Sequence, residues 1–173
     1  MTGRFRVVDT GVLEGRFNIA IDQAMIEEHQ AGRIPDTFRF MRFPPTALIG
    51  RHQALRQEVD VDHCRAHGIG IVRRITGGGA IYLDEGQLGW GLVFHRKALS
   101  ATCLAGLASD ICEAVAAGLR RLGVDARYRP RNDIEVDGRK ISGTGGFFDG
   151  DTLIYQGTVL VDMNPAAMVA ALR

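Results

Sequence analysis

The chain has few cysteines, and they are not arranged as a disulfide framework or a zinc site. Its 173 residues include only Cys64, Cys103 and Cys112, an odd number without paired CxxC spacing. His63 and His67 are four residues apart, but no acidic third ligand accompanies them. The sequence therefore predicts neither a zinc-type site nor a disulfide frame, and the unpaired thiols are typical of a reducing cytosol.

Long apolar runs and an excess of either charge are also absent. No stretch of about 18 consecutive apolar residues occurs, and the amino terminus lacks the apolar segment and cleavage site of a secretion signal. The formal net charge is only +1, so there is no global basic field for nucleic acid. We expect a cytoplasmic protein with no membrane and no nucleic-acid partner, in which electrostatic recognition is local.

The apolar content is sufficient for one core. Hydrophobic residues make up 46% of the chain, and 173 residues are too few to favour two full domains. The sequence therefore predicts a single domain over residues 1–173, with no separate accessory domain.

Apolar residues at helical spacing predict four helices. They cover residues 17–32, 60–68, 101–123 and 164–173. The third has the strongest pattern, with Arg120 and Arg121 in its last turn and Gly123 after it. In the fourth, Asn164 is the predicted N-cap and Pro165 the first helical residue, so the chain is expected to stop inside a helix.

Alternating or β-branched runs predict strands between these helices. They cover residues 4–11, 37–43, 46–50, 69–75, 80–83, 88–94, 125–129, 133–143 and 152–162. The second and third are expected to form a hairpin around Pro44 and Pro45, and the glycine-punctuated runs between residues 69 and 94 an antiparallel sheet. Asp137-Gly138 and Asp149-Gly150 are turn dipeptides that would close two more hairpins. The fold class is therefore α/β or α+β: a mixed, largely antiparallel sheet flanked by helices.

Three consecutive glycines, Gly77 to Gly79, follow Arg73, Arg74 and Thr76. Glycines are kept where a Cβ would forbid the backbone dihedrals or a close approach, and successive free amides form a concave anion site. The planar arginine fork suits phosphate or carboxylate. The motif joins two predicted strands and matches neither GxxxxGK[ST] nor GxGxxG. From this loop alone, an anion site and a glycine-rich strand connection both stay open.

A second stretch, "RNDIEVDGRKISGTGG" over residues 131–146, carries complementary groups. Lys140 lies across a predicted hairpin turn from Asn132 and Asp133, so strand pairing would bring the three to one end of the sheet. An ammonium placed between a carboxylate and a phosphate offsets their mutual repulsion. Asp133 would hold Mg²⁺ or orient the lysine, and Asn132 would bond phosphate or ribose. Together the two stretches indicate a phosphorylated, acyl-bearing small molecule, whereas Lys140 alone would more simply be a solvated hairpin residue.

These stretches resemble known signatures. "RRITGGGAIYLD" resembles the RRx[ST]GGGAVxHD signature of lipoate-protein ligases, and "RNDIEVDGRKISGTG" resembles their second signature, NDI followed by GKKISG. "FNIAIDQAM" is similar to the family's N-x-A-x-D helix, and "FPPTALIGRHQ" to its P-x-[VA]-[VL]-IGRxQ strand. Four motifs in the right order span nearly the whole chain, so it resembles the lipoate-protein ligase A family, within the biotin and lipoate ligase superfamily.

The resemblance implies the catalytic-domain fold of the biotin and lipoate ligases. It also implies a two-step reaction. Lipoate and ATP, with Mg²⁺, would give lipoyl-adenylate and pyrophosphate, and the lipoyl group would then pass to a lysine of a lipoyl-domain protein. Lys140 would be the main catalytic residue, and Asp133 the candidate Mg²⁺ ligand. The implied substrate contacts are Arg73, Arg74, Thr76, Gly77, Gly78, Gly79, Asn132, Asp133, Ser142 and Gly143.

The chain departs from the family pattern in three places. Leu83 stands where the family usually has histidine, and "QA" follows IGRH where the family often has "QN". Family members also have a longer catalytic domain, and many add a small carboxy-terminal domain. We therefore expect that the domain continues past Arg173 or that a separate accessory chain completes it.

Two other functions stay open. An octanoyltransferase of the same fold carries the acyl group on a cysteine just before the second signature, where this chain has "RPRND". Cys112, in the middle of an amphipathic helix, is predicted to be a buried core thiol, so the ligase is favoured. The other alternative is a non-catalytic module that binds lipoate or an acyl-adenylate. Biotin ligase is disfavoured, because its loop carries more arginine among the glycines.

Overall fold

The computed structural model describes residues 5–98 and 104–173. Within these residues the backbone forms ten strands and five α-helices. The strands are β1 (Arg6–Val12), β2 (Thr37–Arg42), β3 (Thr46–Ile49), β4 (Gly70–Arg73), β5 (Ile81–Leu83), β6 (Gln87–His95), β7 (Arg127–Arg129), β8 (Asp133–Val136), β9 (Arg139–Asp149) and β10 (Thr152–Leu160). The helices are α1 (Gly15–Gln30), α2 (Leu55–Glu58), α3 (Val61–Ala66), α4 (Leu104–Arg121) and α5 (Pro165–Ala171), with a 3₁₀ turn at Arg96–Ala98.

Two sheets organise these elements. The larger has the strand order β1-β2-β6-β10-β9-β8-β7, and the smaller has the order β4-β3-β5. The β1–β2 and β3–β4 pairs are parallel, and the other pairs are antiparallel. The predicted mixed, largely antiparallel sheet with helices on it is confirmed.

The two Asp-Gly hairpins are confirmed. Asp137 and Gly138 have φ of 50° and 74°, as a two-residue turn with both central residues left-handed requires, and they close the β8–β9 hairpin. Asp149 is the last residue of β9, and Gly150, with φ of 58°, starts the turn into β10. These turns were predictable because their signal is local.

Two predicted strand pairings are wrong. β2 and β3 do not form a hairpin around Pro44 and Pro45, because β2 pairs with β1 and β6 in the large sheet while β3 lies between β4 and β5. The runs between residues 69 and 94 are not one antiparallel sheet either. β4 pairs with β3 in parallel, and β6 belongs to the large sheet.

Helix α5 ends before the chain does, contrary to the expectation that the chain stops inside it. Asn164 accepts a hydrogen bond from the Ala167 amide and caps the helix as predicted. The helix ends at Ala171, and Leu172 forms a bridge with Val59. The carboxy-terminal residues are therefore held against the small sheet side of the fold.

The helices cover different faces of the large sheet. Met25 and Ile26 of α1 pack on Val93 and Ile154, while Leu107 and other residues of α4 pack on the opposite face around Trp90 and Tyr155. The predicted start of α4 at residue 101, and Cys103, lie outside the described residues. The face that α1 only partly covers is where the two sheets leave a cavity.

Candidate active site

A cavity of about 510 Å³ lies between the small sheet and the large sheet. Its walls are mainly apolar and include Ile19, Met41, Phe43, Leu48, Leu83 and Met168. Nine of the predicted contact residues also line it: Arg74, Thr76, Gly77, Gly78, Gly79, Asn132, Lys140, Ser142 and Gly143. The glycine loop and the lysine therefore share one hollow, although they belong to different sheets.

Arg74 holds the glycine loop in shape. Its guanidinium donates to the carbonyl oxygens of Gly77 at 2.7 Å, Gly79 at 2.8 Å and Leu48 at 3.1 Å. Gly78 has φ of 98°, a conformation that favours glycine. In the described part of the chain, nothing accepts a hydrogen bond from the amides of Gly77, Gly78 or Gly79. A loop with inward-bonded carbonyls and unpartnered amides is suited to binding an anion.

The loop is also locked against the turn that follows β3. A Cβ on Gly50 would lie 2.0 Å from the Gly78 carbonyl oxygen, so only glycine fits there. Arg73 donates to the carbonyl oxygens of Gly50, Arg51 and Gln53 at 2.8 to 3.1 Å. Arg73 was predicted to contact the substrate, but it does not line this cavity. Its observed contacts shape the turn against which the glycine loop rests.

Lys140 is held at the cavity by Asp133. The ammonium Nζ lies 2.7 Å from Asp133 Oδ1, and Arg129 approaches the other oxygen of the same carboxylate at 2.5 Å. Partial burial pushes the pKa of Asp133 up, but the hydrogen bonds and charges of Lys140 and Arg129 outweigh it and hold that pKa below its usual value. The lysine side chain lies over Gly143, where a Cβ would be 3.0 Å from Nζ. Its side chain is about half exposed, so it can reach a bound ligand.

Asp133 is poorly suited to hold Mg²⁺. Both of its oxygens face cations, and it does not line the cavity. Among residues 5–98 and 104–173, no group of three His, Cys, Asp or Glu side chains could hold a metal ion. Mg²⁺ in phosphate sites takes one or two carboxylates and otherwise substrate phosphates. The observed contacts of the Asp133 carboxylate are with Lys140 and Arg129, and the ion pair with Lys140 orients that ammonium.

Asn132 is fixed by Thr144 on the neighbouring strand. The Asn132 carbonyl accepts from both the amide and the hydroxyl of Thr144, at 3.0 Å and 2.9 Å, and the Asn132 side-chain amide donates back to the Thr144 carbonyl. The Thr144 hydroxyl also lies 2.7 Å from the hydroxyl of Tyr155. The preceding residue, Arg131, has φ of 100°, so the chain turns sharply to bring Asn132 to the cavity.

The far end of the cavity is polar and was not predicted. Asp22 and Gln156 line it, and the Gln156 side-chain amide donates to Asp22 at 2.5 Å. Arg39 is fully buried behind Asp22, with a 2.7 Å ion pair, and also donates to Asn18 and Thr10. Burial raises the pKa of Asp22 to about 6, against the opposing charge of Arg39 and its hydrogen bonds.

Strand register explains where the cavity ends. Arg39, Gly91, Gln156 and Gly145 lie side by side across β2, β6, β10 and β9. Nothing lies within 4 Å of where a Cβ on Gly145 would be, which leaves open space beside Gln156. In the next row, Val93 and Ile154 are covered by α1, so the hollow closes there. The signal in the sequence was a charged residue, Arg39, at an inward position of the alternating strand β2, together with Asn18 and Asp22 on one face of the preceding helix α1.

Neither described cysteine reaches the cavity. Cys64 and Cys112 are fully buried and do not line it. Burial raises the pKa of both thiols. Cys112 is a core residue of α4, as predicted, with its sulfur 3.4 Å from the Thr144 hydroxyl. A thiol acyl carrier must ionise and meet its substrate; burial disfavours ionisation of these two thiols, and neither lines the cavity.

Known proteins share this architecture. Residues 14–173 match the family described as the lipoyl protein ligase A/B catalytic domain. The chain belongs to that family. The octanoyltransferase LipM of Moorella thermoacetica is 29% identical, over 98% of this chain and 69% of its own. Family members thus include transferases as well as ligases.

Solved structures give the same family assignment. A bi-partite lipoate protein ligase from Thermoplasma acidophilum, studied with its E2 lipoyl domain, superposes with a TM-score of 0.88 and 28% identity, covering 99% of this chain and 67% of its own. A lipoate-protein ligase A bound with ATP gives a TM-score of 0.87 and 30% identity, covering 100% and 72%. The chain spans about two thirds of the length of these relatives. It is an enzyme of this ligase and transferase family, and no helix among its described residues is long and apolar enough to cross a membrane.

Proposed function

We propose that this chain is an ATP-dependent lipoate-protein ligase, which activates lipoate as lipoyl-adenylate and passes the lipoyl group to a lysine of a lipoyl-domain protein. One observation carries the proposal: Lys140 and the unpartnered amides of Gly77 to Gly79 line the same apolar cavity. The apolar walls suit an acyl chain, and the cation with the amides suits its carboxylate and a phosphate.

In the first step, a lipoate carboxylate oxygen attacks the α-phosphorus of ATP. A new P–O bond forms between the carboxylate oxygen and the α-phosphorus as the P–O bond to pyrophosphate breaks, and the electron pair of the broken bond leaves with pyrophosphate. Lys140 offsets the negative charge of the two reactants, and the glycine amides bond the phosphoryl oxygens. Asp133 keeps the ammonium in place without sharing in the chemistry. Mg²⁺ would be held largely by the phosphates of ATP, as is usual at phosphate sites.

In the second step, the amine of the acceptor lysine attacks the acyl carbonyl carbon. A C–N bond forms, the C–O bond to AMP breaks, and the amine gives up a proton to solvent. No covalent bond to the enzyme is required. The Thermoplasma acidophilum neighbour, a bi-partite ligase studied with an E2 lipoyl domain, supports a lipoyl-domain acceptor and a second polypeptide as partners.

An octanoyltransferase is the second candidate, because similar proteins such as the Moorella thermoacetica LipM carry that name. That activity needs an accessible nucleophile when it proceeds through an acyl-enzyme. Cys64 and Cys112 are buried away from the cavity, which favours the ligase.

The deciding experiment measures exchange of labelled pyrophosphate into ATP. The ligase predicts exchange that depends on lipoate or octanoate, with or without an added partner chain. Octanoyl transfer from a carrier protein without ATP, together with a hydroxylamine-sensitive acyl-enzyme in mass spectra, would establish the transferase instead. Lipoate binding with neither activity would leave a binding module.

A further inference from the structure

A row of buried hydroxyl groups leads to the turn that carries Asn132. The Tyr155 hydroxyl is 2.7 Å from the Thr144 hydroxyl, which in turn donates to the Asn132 carbonyl oxygen at 2.9 Å. Tyr155 and Thr144 are both buried, and Tyr155 does not line the cavity. It packs instead in the core beneath α4. The row therefore connects that core to a residue of the site.

The direction of each hydrogen bond in this row is determined by the carbonyl at its end. A carbonyl oxygen only accepts, so the Thr144 hydroxyl donates its single proton to Asn132. The proton between the two hydroxyls must then come from Tyr155. Burial raises the pKa of the Tyr155 phenol, so that proton is retained. Consecutive bonds that point the same way strengthen one another.

Asn132 depends on Thr144 for its position. The Asn132 carbonyl also accepts from the Thr144 amide at 3.0 Å, and the Asn132 side-chain amide donates to the Thr144 carbonyl. In the part of the chain that the structure describes, no other residue forms a hydrogen bond with Asn132. Arg131, just before it, has φ of 100°, a strained conformation that persists only where the surrounding structure holds it. Asn132 is itself exposed, so burial does not supply that hold.

Asn132 and Lys140 line the same cavity but are held separately. Lys140 is held by the Asp133 carboxylate, whereas Asn132 is held by Thr144. We propose that Tyr155 is a positioning residue of the site, which acts through the Thr144 hydroxyl to hold Asn132 against the nucleotide. This inference rests on the proposed ligase function, with the predicted contact of Asn132 to the phosphate or ribose of ATP.

The test compares Tyr155→Phe with Tyr128→Phe in lipoate-dependent pyrophosphate exchange. Both changes remove one phenol oxygen, and Tyr128 is a half-buried residue of β7 that does not line the cavity. Tyr155→Phe is expected to raise KM for ATP about three- to tenfold, as the loss of one buried hydrogen bond implies, and to leave KM for lipoate unchanged. Tyr128→Phe should change neither. Thr144→Val should raise KM for ATP at least as much, and Thr144→Ser, which keeps the hydroxyl, should keep it near the native value.

A double-mutant cycle separates positioning from general stability. In an Asn132→Ala background, Tyr155→Phe should have no further effect on KM for ATP, because the side chain that it positions is gone. Loss of stability alone would leave KM for both substrates unchanged. A native KM for ATP in Tyr155→Phe, or an equal rise with and without the Asn132 side chain, would overturn the proposal.

Hydrogen exchange of the Thr144 amide tests the same contact without substrate, since that amide donates to the Asn132 carbonyl. Tyr155→Phe should speed its exchange about tenfold relative to the amides that pair β9 with β10, and Tyr128→Phe should not. Unchanged exchange at Thr144 would overturn the proposal whether or not the protein is a ligase. Faster exchange there, with weaker ATP binding by calorimetry, in a protein whose native form shows no pyrophosphate exchange would keep the positioning role and remove the ligase.

Discussion

At the scale of single residues, the chain uses lysine sparingly. Lys97 and Lys140 are its only lysines among 21 basic residues, so nineteen are arginine. A lysine ammonium is a compact point charge, whereas arginine is a planar fork that bonds in fixed directions. Arg73 and Arg74 use that fork on backbone carbonyls, which is a structural task. Lys140, which lines the cavity, is the residue proposed to supply a point charge between two anions.

Asp22 should make stability depend on pH in a definite direction. Its folded pKa of about 6 lies above the usual 3.8, so the folded protein binds the proton more tightly. The contribution of Asp22 is therefore fully present below about pH 4 and is lost as the pH rises through 6. Relative to Asp22→Asn, the free energy of unfolding of the native protein should fall by about 1.4 kcal/mol per pH unit within that window.

Denaturant unfolding of both proteins between about pH 4 and about pH 7, a range that includes the window between the two pKa values, would measure this difference. The asparagine variant keeps the size of the side chain and removes its titration. A difference that stays flat, or that grows as the pH rises, would show that the ion pair with Arg39 outweighs the burial of the carboxylate.

The cysteines should be dispensable for activation. Cys112→Ala leaves Thr144 and Tyr155 bonded to each other, and Cys64 lies in a separate core cluster. Each single alanine variant, Cys103 included, is expected to keep lipoate-dependent pyrophosphate exchange within a few-fold of the native rate. Abolition of acyl transfer by one of these changes, in a variant with a native unfolding curve, would instead identify a thiol acyl carrier.

At the scale of elements, the glycine loop is held by a close approach between two turns. Gly50→Ala would place a Cβ 2.0 Å from the Gly78 carbonyl, so one turn must move. We expect a loss of roughly 1–3 kcal/mol in the free energy of unfolding and a much weaker binding of ATP. Thermal unfolding with and without nucleotide measures both effects.

Gly118→Ala is the control for the same chemical change. Nothing lies within 4 Å of a Cβ at that position of α4, so alanine should stabilise the helix by about 0.5–1 kcal/mol. If Gly50→Ala is as stable and as active as the control, the locked turn has no role in the site.

Features of the fold that a few neighbouring residues encode could be predicted from the sequence. Features that depend on contacts between distant segments could not. Asp137-Gly138 encodes its turn in two residues, and Asn164-Pro165 encodes a helix start, so both were predictable. The order β4-β3-β5 depends on a parallel pairing of strands separated by α2 and α3, which no short pattern encodes. The neighbouring prolines suggested a hairpin, but β3, whose four residues are all buried, is the central strand of the smaller sheet.

The candidate site divides in the same way. Lys140, Asn132 and the glycine loop were found because turn chemistry and bare backbone are visible in the sequence. Gln156 was not, because it becomes part of the cavity only when Gly91 and Gly145 lie on either side of it. Arg73 stays a predicted substrate contact; in the structure it does not line the main cavity and donates to the carbonyl oxygens of Gly50, Arg51 and Gln53.

At the scale of the whole molecule, the site exists only because two sheets meet. The glycine loop joins two strands of the small sheet, and Lys140 belongs to the large one. Asp133 and Arg129 fix the lysine from one side, and Arg74 fixes the loop from the other. The proposed activation of a carboxylate by ATP requires that both halves act on one ligand.

The most direct measurement compares lipoate-dependent pyrophosphate exchange in Lys140→Ala and Lys97→Ala. Lys97 is exposed and does not line the cavity, so its variant removes the same charge without touching the site. The account predicts a loss of about 10²–10³-fold for Lys140→Ala, as for removal of an electrostatic stabiliser, and a native rate for Lys97→Ala. Equal exchange rates in the two variants would contradict it.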